Sequence, residues 1–194
     1  MSHSRLPLPL FLDFDGVLHH FFPRADSSDL ENARFSFLPE FEAAIRQSPR
    51  QVQIIISSTW RRSHNLSELR GFFSRDIAGL ITDVTPVLGA GSGQGARQDE
   101  VEAWLRSKKR EGQEWVAIDD MPVLFRPGAA VVACDDRFGE REAALLAEAI
   151  LDPAAYAKTH PVATGGGRTM VVLDEELSRA EGSSLLGGKT PGMR

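Results

Sequence analysis

Pro9-Leu10-Phe11-Leu12-Asp13-Phe14-Asp15-Gly16-Val17-Leu18 is the stretch from which the fold is read. A short apolar run from Leu8 to Leu12, broken by Pro9, reads as a buried strand. It ends in two carboxylates separated by one aromatic residue, and then a glycine. Strand residues i and i+2 point to one side, so Asp13 and Asp15 can converge beyond the strand's C-terminal end. Two ionised carboxylates about 4 Å apart repel by roughly 4 kcal/mol at an effective dielectric of about 20. Such a pair calls for a bound cation, a shared proton, or both. Gly16 lets the backbone turn away after the second acid. The plain alternative is a strand followed by an Asp-Gly turn, and the rest of the chain decides between them.

Outward from that strand, His19 to Asn32 is polar and mixed, and reads as a loop or flap beside the first acids. A helix is expected from about Pro39, with Leu38, Phe41, Ala44 and Ile45 at helical spacing. Val52 to Ile56 is β-branched and reads as a second buried strand, stopping at Ser57-Ser58-Thr59-Trp60-Arg61-Arg62. Asn65 can cap a helix carrying Leu66, Leu69, Phe72 and Phe73. Leu80 to Val84 reads as a more polar edge strand, and Gly89 to Gly95 as a flexible connector. A helix over about Ala96 to Lys109 carries Val101, Trp104 and Leu105 on its apolar stripe. Strands at Trp115–Ile118 and Ala129–Cys134 deliver Asp119-Asp120 and Asp135-Asp136, and Gly139 to Leu151 is a last amphipathic helix. Past Asp152 the sequence loosens: Thr169 to Leu173 is a possible short strand, and Gly182 to Arg194 is expected to be disordered. The reading is therefore one α/β domain over residues 1–152, with a loose tail over 153–194. Alternating strands and helices imply a mainly parallel sheet, whose ligands sit beyond the strands' carboxyl ends.

Composition sets the outer bounds. With 194 residues, 42% hydrophobic and 25% charged, the chain reads as an ordinary soluble globular protein. A net charge of −5 argues against broad nonspecific nucleic-acid binding. The single cysteine, Cys134, rules out an intrachain disulfide and suits a reducing compartment. The N-terminal apolar run is interrupted by prolines and then acids, unlike a signal peptide, and no apolar segment approaches bilayer length. A cytoplasmic protein is the expectation.

At the strand ends stand an acidic pair, a hydroxyl, a basic residue on a helix, and a second acidic pair. Phosphoryl transfer to an aspartate needs this set: a nucleophilic carboxylate, a general acid/base, donors for the phosphoryl oxygens, and a hard oxygen-ligated cation such as Mg²⁺. The order DFDGVL, IIISSTWRR, a basic helix start, then WVAIDD resembles the haloacid dehalogenase (HAD) superfamily of phosphohydrolases. The SSTWR stretch and compact length look like the HAD domain of the Swiss-army-knife RNA-repair type, over roughly Leu8 to Leu151. The resemblance implies a HAD-like Rossmannoid three-layer sandwich with a mainly parallel five-stranded sheet. It implies Asp13 as nucleophile, Asp15 as general acid/base, and Mg²⁺ held by Asp13, the Asp15 carbonyl, Asp119 and Asp120. It makes Ser57 the phosphate-binding hydroxyl, with Ser58 a close competitor, and Arg97 the match for the family's lysine or arginine.

Each assignment has a rival. Ser57 can simply terminate a strand, Arg97 can be a solvated helix charge pairing with Glu100 or Glu102, and Asp135-Asp136 competes with Asp119-Asp120. The later pair is read as shaping a loop and capping the last helix. Arg61 is expected to reach substrate, Trp60 to be structural, and His19 and His20 to be loop packing beside Phe21 and Phe22. Gly187-Gly188-Lys189-Thr190 imitates the end of a P-loop but lacks the leading glycine, having Ser183 there.

The segments after the first and second motifs are too short for a large cap domain. An open site suits a bulky phosphorylated end, such as a polynucleotide terminus or a protein. The leading expectation is a Mg²⁺-dependent phosphomonoester hydrolase acting on an exposed phosphate. The alternatives are a non-catalytic HAD-like binding module and a capless nucleotidase or small-molecule phosphatase.

Overall fold

In the computed structural model, which describes residues 6–89 and 93–162, the opening run is strand β1 (Leu8–Leu12), buried along its whole length. The β-branched run is β2 (Val52–Ile56), followed by β3 (Ile81–Val84), β4 (Val116–Asp119) and β5 (Val131–Ala133). All pairings are parallel and the sheet order is β3-β2-β1-β4-β5, with β1 central and β3 at an edge. Helices α1 (Leu38–Arg46), α2 (Leu66–Arg70), α3 (Arg75–Ala78), α4 (Ala96–Ser107), α5 (Glu140–Leu151) and α6 (Pro153–Thr159) complete the domain. Helices cover both faces because every central strand is apolar on both sides.

The two cores follow strand parity. Leu10, Leu12, Phe14, Ile54, Ile56 and Ile118 face α1 and α5 through Phe41, Ile45, Leu146 and Ile150. Phe11, Ile55, Ala117 and Val131 face α4 through Val101, Trp104 and Leu105, with Phe11 and Trp104 edge to face at 5.6 Å. Each fully buried Leu, Ile or Phe contributes about 1.5–3 kcal/mol. This double burial makes the strands legible as continuous apolar runs.

Several boundaries differ from the sequence reading. Asn65 does cap α2, in a capping box with Glu68, but the helix ends at Arg70, so Phe72 and Phe73 lie beyond it. The short α3 is additional. So is α6, within the stretch expected to be loose: Asp152 caps it, and Tyr156 and Ala157 are buried in the larger core. The domain therefore continues past Asp152. The expected strand at Thr169–Leu173, the stretch Gly182–Arg194 and part of the Gly89–Gly95 connector lie outside the described residues. Among the described residues there is no large cap, and no helix is long and apolar enough to cross a membrane.

Candidate active site

Register builds the site. Leu12 of β1 pairs with Ile56 of β2 and Ile118 of β4, so Asp13, Ser57 and Asp119 each follow by one residue, side by side. The Asp13 N–H donates to the Ile118 carbonyl, and the Ser57 N–H to that of Leu12. The three share the parity of Phe11, Ile55 and Ala117, the face covered by α4, and Arg97 reaches them from that helix's first turn. Arg97 Nη2 lies 3.4 Å from Asp13 Oδ2, and Nη1 lies 3.6 Å from Asp119 Oδ2. Nη1 also donates to the Ser57 carbonyl and, at 3.4 Å, to its hydroxyl. Burial alone would weaken the guanidinium's hold on its proton, but Asp119 and Asp13 outweigh it and raise its pKa above the ordinary value.

Asp13, Asp119 and Asp120 each bring a carboxylate oxygen to within 4.8 Å of the others. Asp13 Oδ1 accepts from the Phe14 N–H, and Asp119 Oδ1 from the Met121 N–H. Asp119 Oδ2 is buried with no hydrogen-bond partner. Burial, together with the neighbouring Asp13 and Asp120 charges, raises the Asp119 carboxyl well above the carboxylate range despite Arg97. Burial and then Asp13 push Asp120 up to about 7. Three hard oxygens from carboxylates of which Asp119 and Asp120 hold their protons too tightly, with Asp119 Oδ2 left without a hydrogen-bond partner, form a donor set that fits a divalent cation. Gly16 makes room for it. Its backbone has a φ of +67°, and a Cβ there would come within 2.5 Å of the Asp120 carboxylate.

Asp15 points elsewhere, into an aromatic box. Its Oδ1 is 3.1 Å from His19 Nε2, and both its oxygens are 3.1 Å from the Trp60 indole nitrogen. Burial raises its pKa, but the His19 and Trp60 hydrogen bonds outweigh that, leaving it below the usual range. Trp60 and His19, expected to be structural and loop packing, thus both hold the second acid of the motif. The spacing of His19 four residues after Asp15 is the only sign of this in the sequence.

Ser58 serves its own turn: its hydroxyl accepts from the Trp60 N–H, capping the 3-10 turn at Thr59–Arg62. Arg61, expected at the substrate, is otherwise occupied. Its guanidinium donates to the carbonyls of Thr85, Ser57 and Ser58 and to Glu100 at 2.6 Å, and only 3% of its side chain is exposed. Glu100 is therefore Arg61's partner, whereas Arg97 faces the acids. Asp136, with φ +61°, holds the flap, accepting from His20 Nδ1 at 3.0 Å and the Phe21 N–H at 2.8 Å. It shapes a loop, but the start of α5 is capped by Gly139 with Glu142.

A parallel sheet in this strand order, with an Asp-x-Asp-Gly turn after the central strand, a Ser after the next and an acid pair after β4, defines a HAD-type α/β domain. Residues 9–144 match the family model described as the HAD domain in Swiss Army Knife RNA repair proteins, and the chain belongs to that family. No curated protein and no solved structure matches it.

Proposed function

We propose that the chain is a Mg²⁺-dependent phosphomonoester hydrolase working through an aspartyl-phosphate on Asp13. The observation that carries this reading is the meeting of Asp13, Asp119 and Asp120 with Arg97 and Ser57 beyond three adjacent strand ends. In the first step an Asp13 oxygen attacks phosphorus and the bond to the leaving oxygen breaks; Asp15, ionised in the free protein, first takes a proton from solvent and passes it to that oxygen. In the second, Asp15 takes a proton from water as the water oxygen attacks phosphorus. The Asp13–phosphate bond then breaks, freeing inorganic phosphate. Arg97 and Ser57 offer donors to the phosphoryl oxygens. Asp13, Asp119 and Asp120, with the Asp15 carbonyl, would hold Mg²⁺, which offsets the charge that nucleophile and phosphate bring together.

No large cap stands over the strand ends among the described residues, which suits a phosphate on a bulky end such as a polynucleotide terminus. Comparing mononucleotides, 5′- and 3′-phosphorylated oligonucleotides and phosphopeptides separates that substrate from a nucleotidase. The chemistry is tested by Asp13→Asn assayed on an aryl phosphate with Mg²⁺. Turnover should fall by at least about 10³-fold while the thermal midpoint is kept. A variant as active as the wild type refutes the nucleophile assignment.

A further inference from the structure

Asp15 stands apart from the Asp13–Asp119–Asp120 cluster because two ring nitrogens hold it. The Trp60 indole N–H bridges both carboxylate oxygens at 3.1 Å, and His19 Nε2 meets Oδ1 at the same distance. A carboxylate only accepts, so His19 carries its proton on Nε2 here. These contacts leave the carboxylate further lone pairs for a water or a leaving oxygen.

Trp60 is itself fixed from several sides. Phe14 and Phe35 pack edge-on against it at 5.8 and 5.3 Å, Phe72 at 5.6 Å, and the His64 ring stacks on it at 5.3 Å with 20° between planes. The Arg34 guanidinium lies over its ring at 4.9 Å. Phe35 holds its place with a left-handed backbone, φ +63°. Packing alone requires an aromatic ring at position 60, and leaves unexplained why the ring's one polar atom meets the second acid of the Asp-x-Asp motif.

We infer that Trp60 is a positioning residue for the hydrolytic step, its indole N–H holding the Asp15 carboxylate in the orientation from which it serves the reacting water. The inference rests on the phosphatase reading above. An aryl phosphate with a good leaving group needs little acid help in the first step, so of the two steps only hydrolysis of the covalent intermediate depends on Asp15. Misaiming Asp15 then slows that step alone.

Trp60→Phe keeps a ring and removes the N–H. On such a substrate kcat should fall about tenfold or more, KM should fall with it so that kcat/KM holds, and the Mg²⁺ requirement should be unchanged. The fraction of enzyme trapped by acid quench as aspartyl-phosphate should rise. A structural role alone would lower the thermal midpoint without that accumulation, and a Trp60→Phe enzyme with wild-type kcat overturns the inference. The contact is read independently in the full-length wild type by hydrogen exchange at the Trp60 indole, which should be slow and should speed up in Asp15→Ala. Equal rates in the two proteins overturn the inference even if Trp60→Phe does not fold. A wild type inactive on every phosphate tested would instead refute the phosphatase reading.

Discussion

Arg61 illustrates how a charge read in sequence can be spent inside the fold. Its guanidinium ties the ends of β2 and β3 to α4, through three carbonyls and Glu100, whose side chain is itself 13% exposed. Burial lowers its pKa, opposed by Glu100. Breaking a buried pair by removing one partner costs about 3–5 kcal/mol. Arg61→Ala should therefore lower unfolding stability in denaturant by an amount of that order, with KM for an aryl phosphate little changed. A raised KM at full stability would return Arg61 to the substrate. In a Trp-Arg-Arg run nothing in the sequence says which cation turns inward, because that depends on which carbonyls the turn after β2 leaves unpaired. Trp60 was hidden for the same reason: its ring is legible as packing, whereas the direction of its N–H depends on the turn. Asp13 and the Asp119-Asp120 pair were legible because strand register brings them to one end of the sheet, whereas Asp15, expected to converge with Asp13, turns aside to Trp60 and His19, a direction that strand alternation does not carry.

At the scale of elements, the strands were readable because central parallel strands are apolar on both faces, so Leu8–Leu12 and Val52–Ile56 stand out as unbroken runs. The short helices were harder. α3 spans only Arg75–Ala78, and α6 carries Asp152 at its cap and Pro153 in its first turn, a start signal within an Ala-rich stretch that otherwise lacks a strong apolar stripe. The flap is held by hydrogen bonds to the Asp136 side chain, on the loop after β5, from His20 and the Phe21 N–H, and to Asp15 from His19. Asp136→Gly preserves the left-handed backbone and removes the carboxylate, leaving only the backbone carbonyl for His20. Losing about 1 kcal/mol of hydrogen bonding should open the flap about fivefold more often. Limited trypsin cleavage at Arg24 or Arg34 should speed up by that factor, with global stability nearly unchanged. Unchanged cleavage would mean that the aromatic box alone holds the flap.

Across the whole molecule, the acidic cluster at the sheet's end opposes the fold when its carboxylates are ionised. Asp120 titrates at about 7 and Asp119 above the carboxylate range, against 3.8 for the same groups unfolded. Between roughly pH 4 and 7 the metal-free folded chain binds more protons than the unfolded one, so its stability falls as pH rises through that window. In the proposed function Mg²⁺ would take the place of those protons. The rise in thermal midpoint on adding Mg²⁺ should therefore be larger at about pH 8 than at about pH 6, and an equal or reversed effect would remove the cluster from metal binding. The central claim, that Asp13 carries the phosphoryl group, is tested most directly by acid-quenching the enzyme during turnover of a radiolabelled phosphate ester with Mg²⁺ and mapping the label. Label is expected on the peptide containing Asp13, lost in Asp13→Asn and in the absence of Mg²⁺. Steady phosphate release with no label on that peptide, and undiminished in Asp13→Asn, would contradict it.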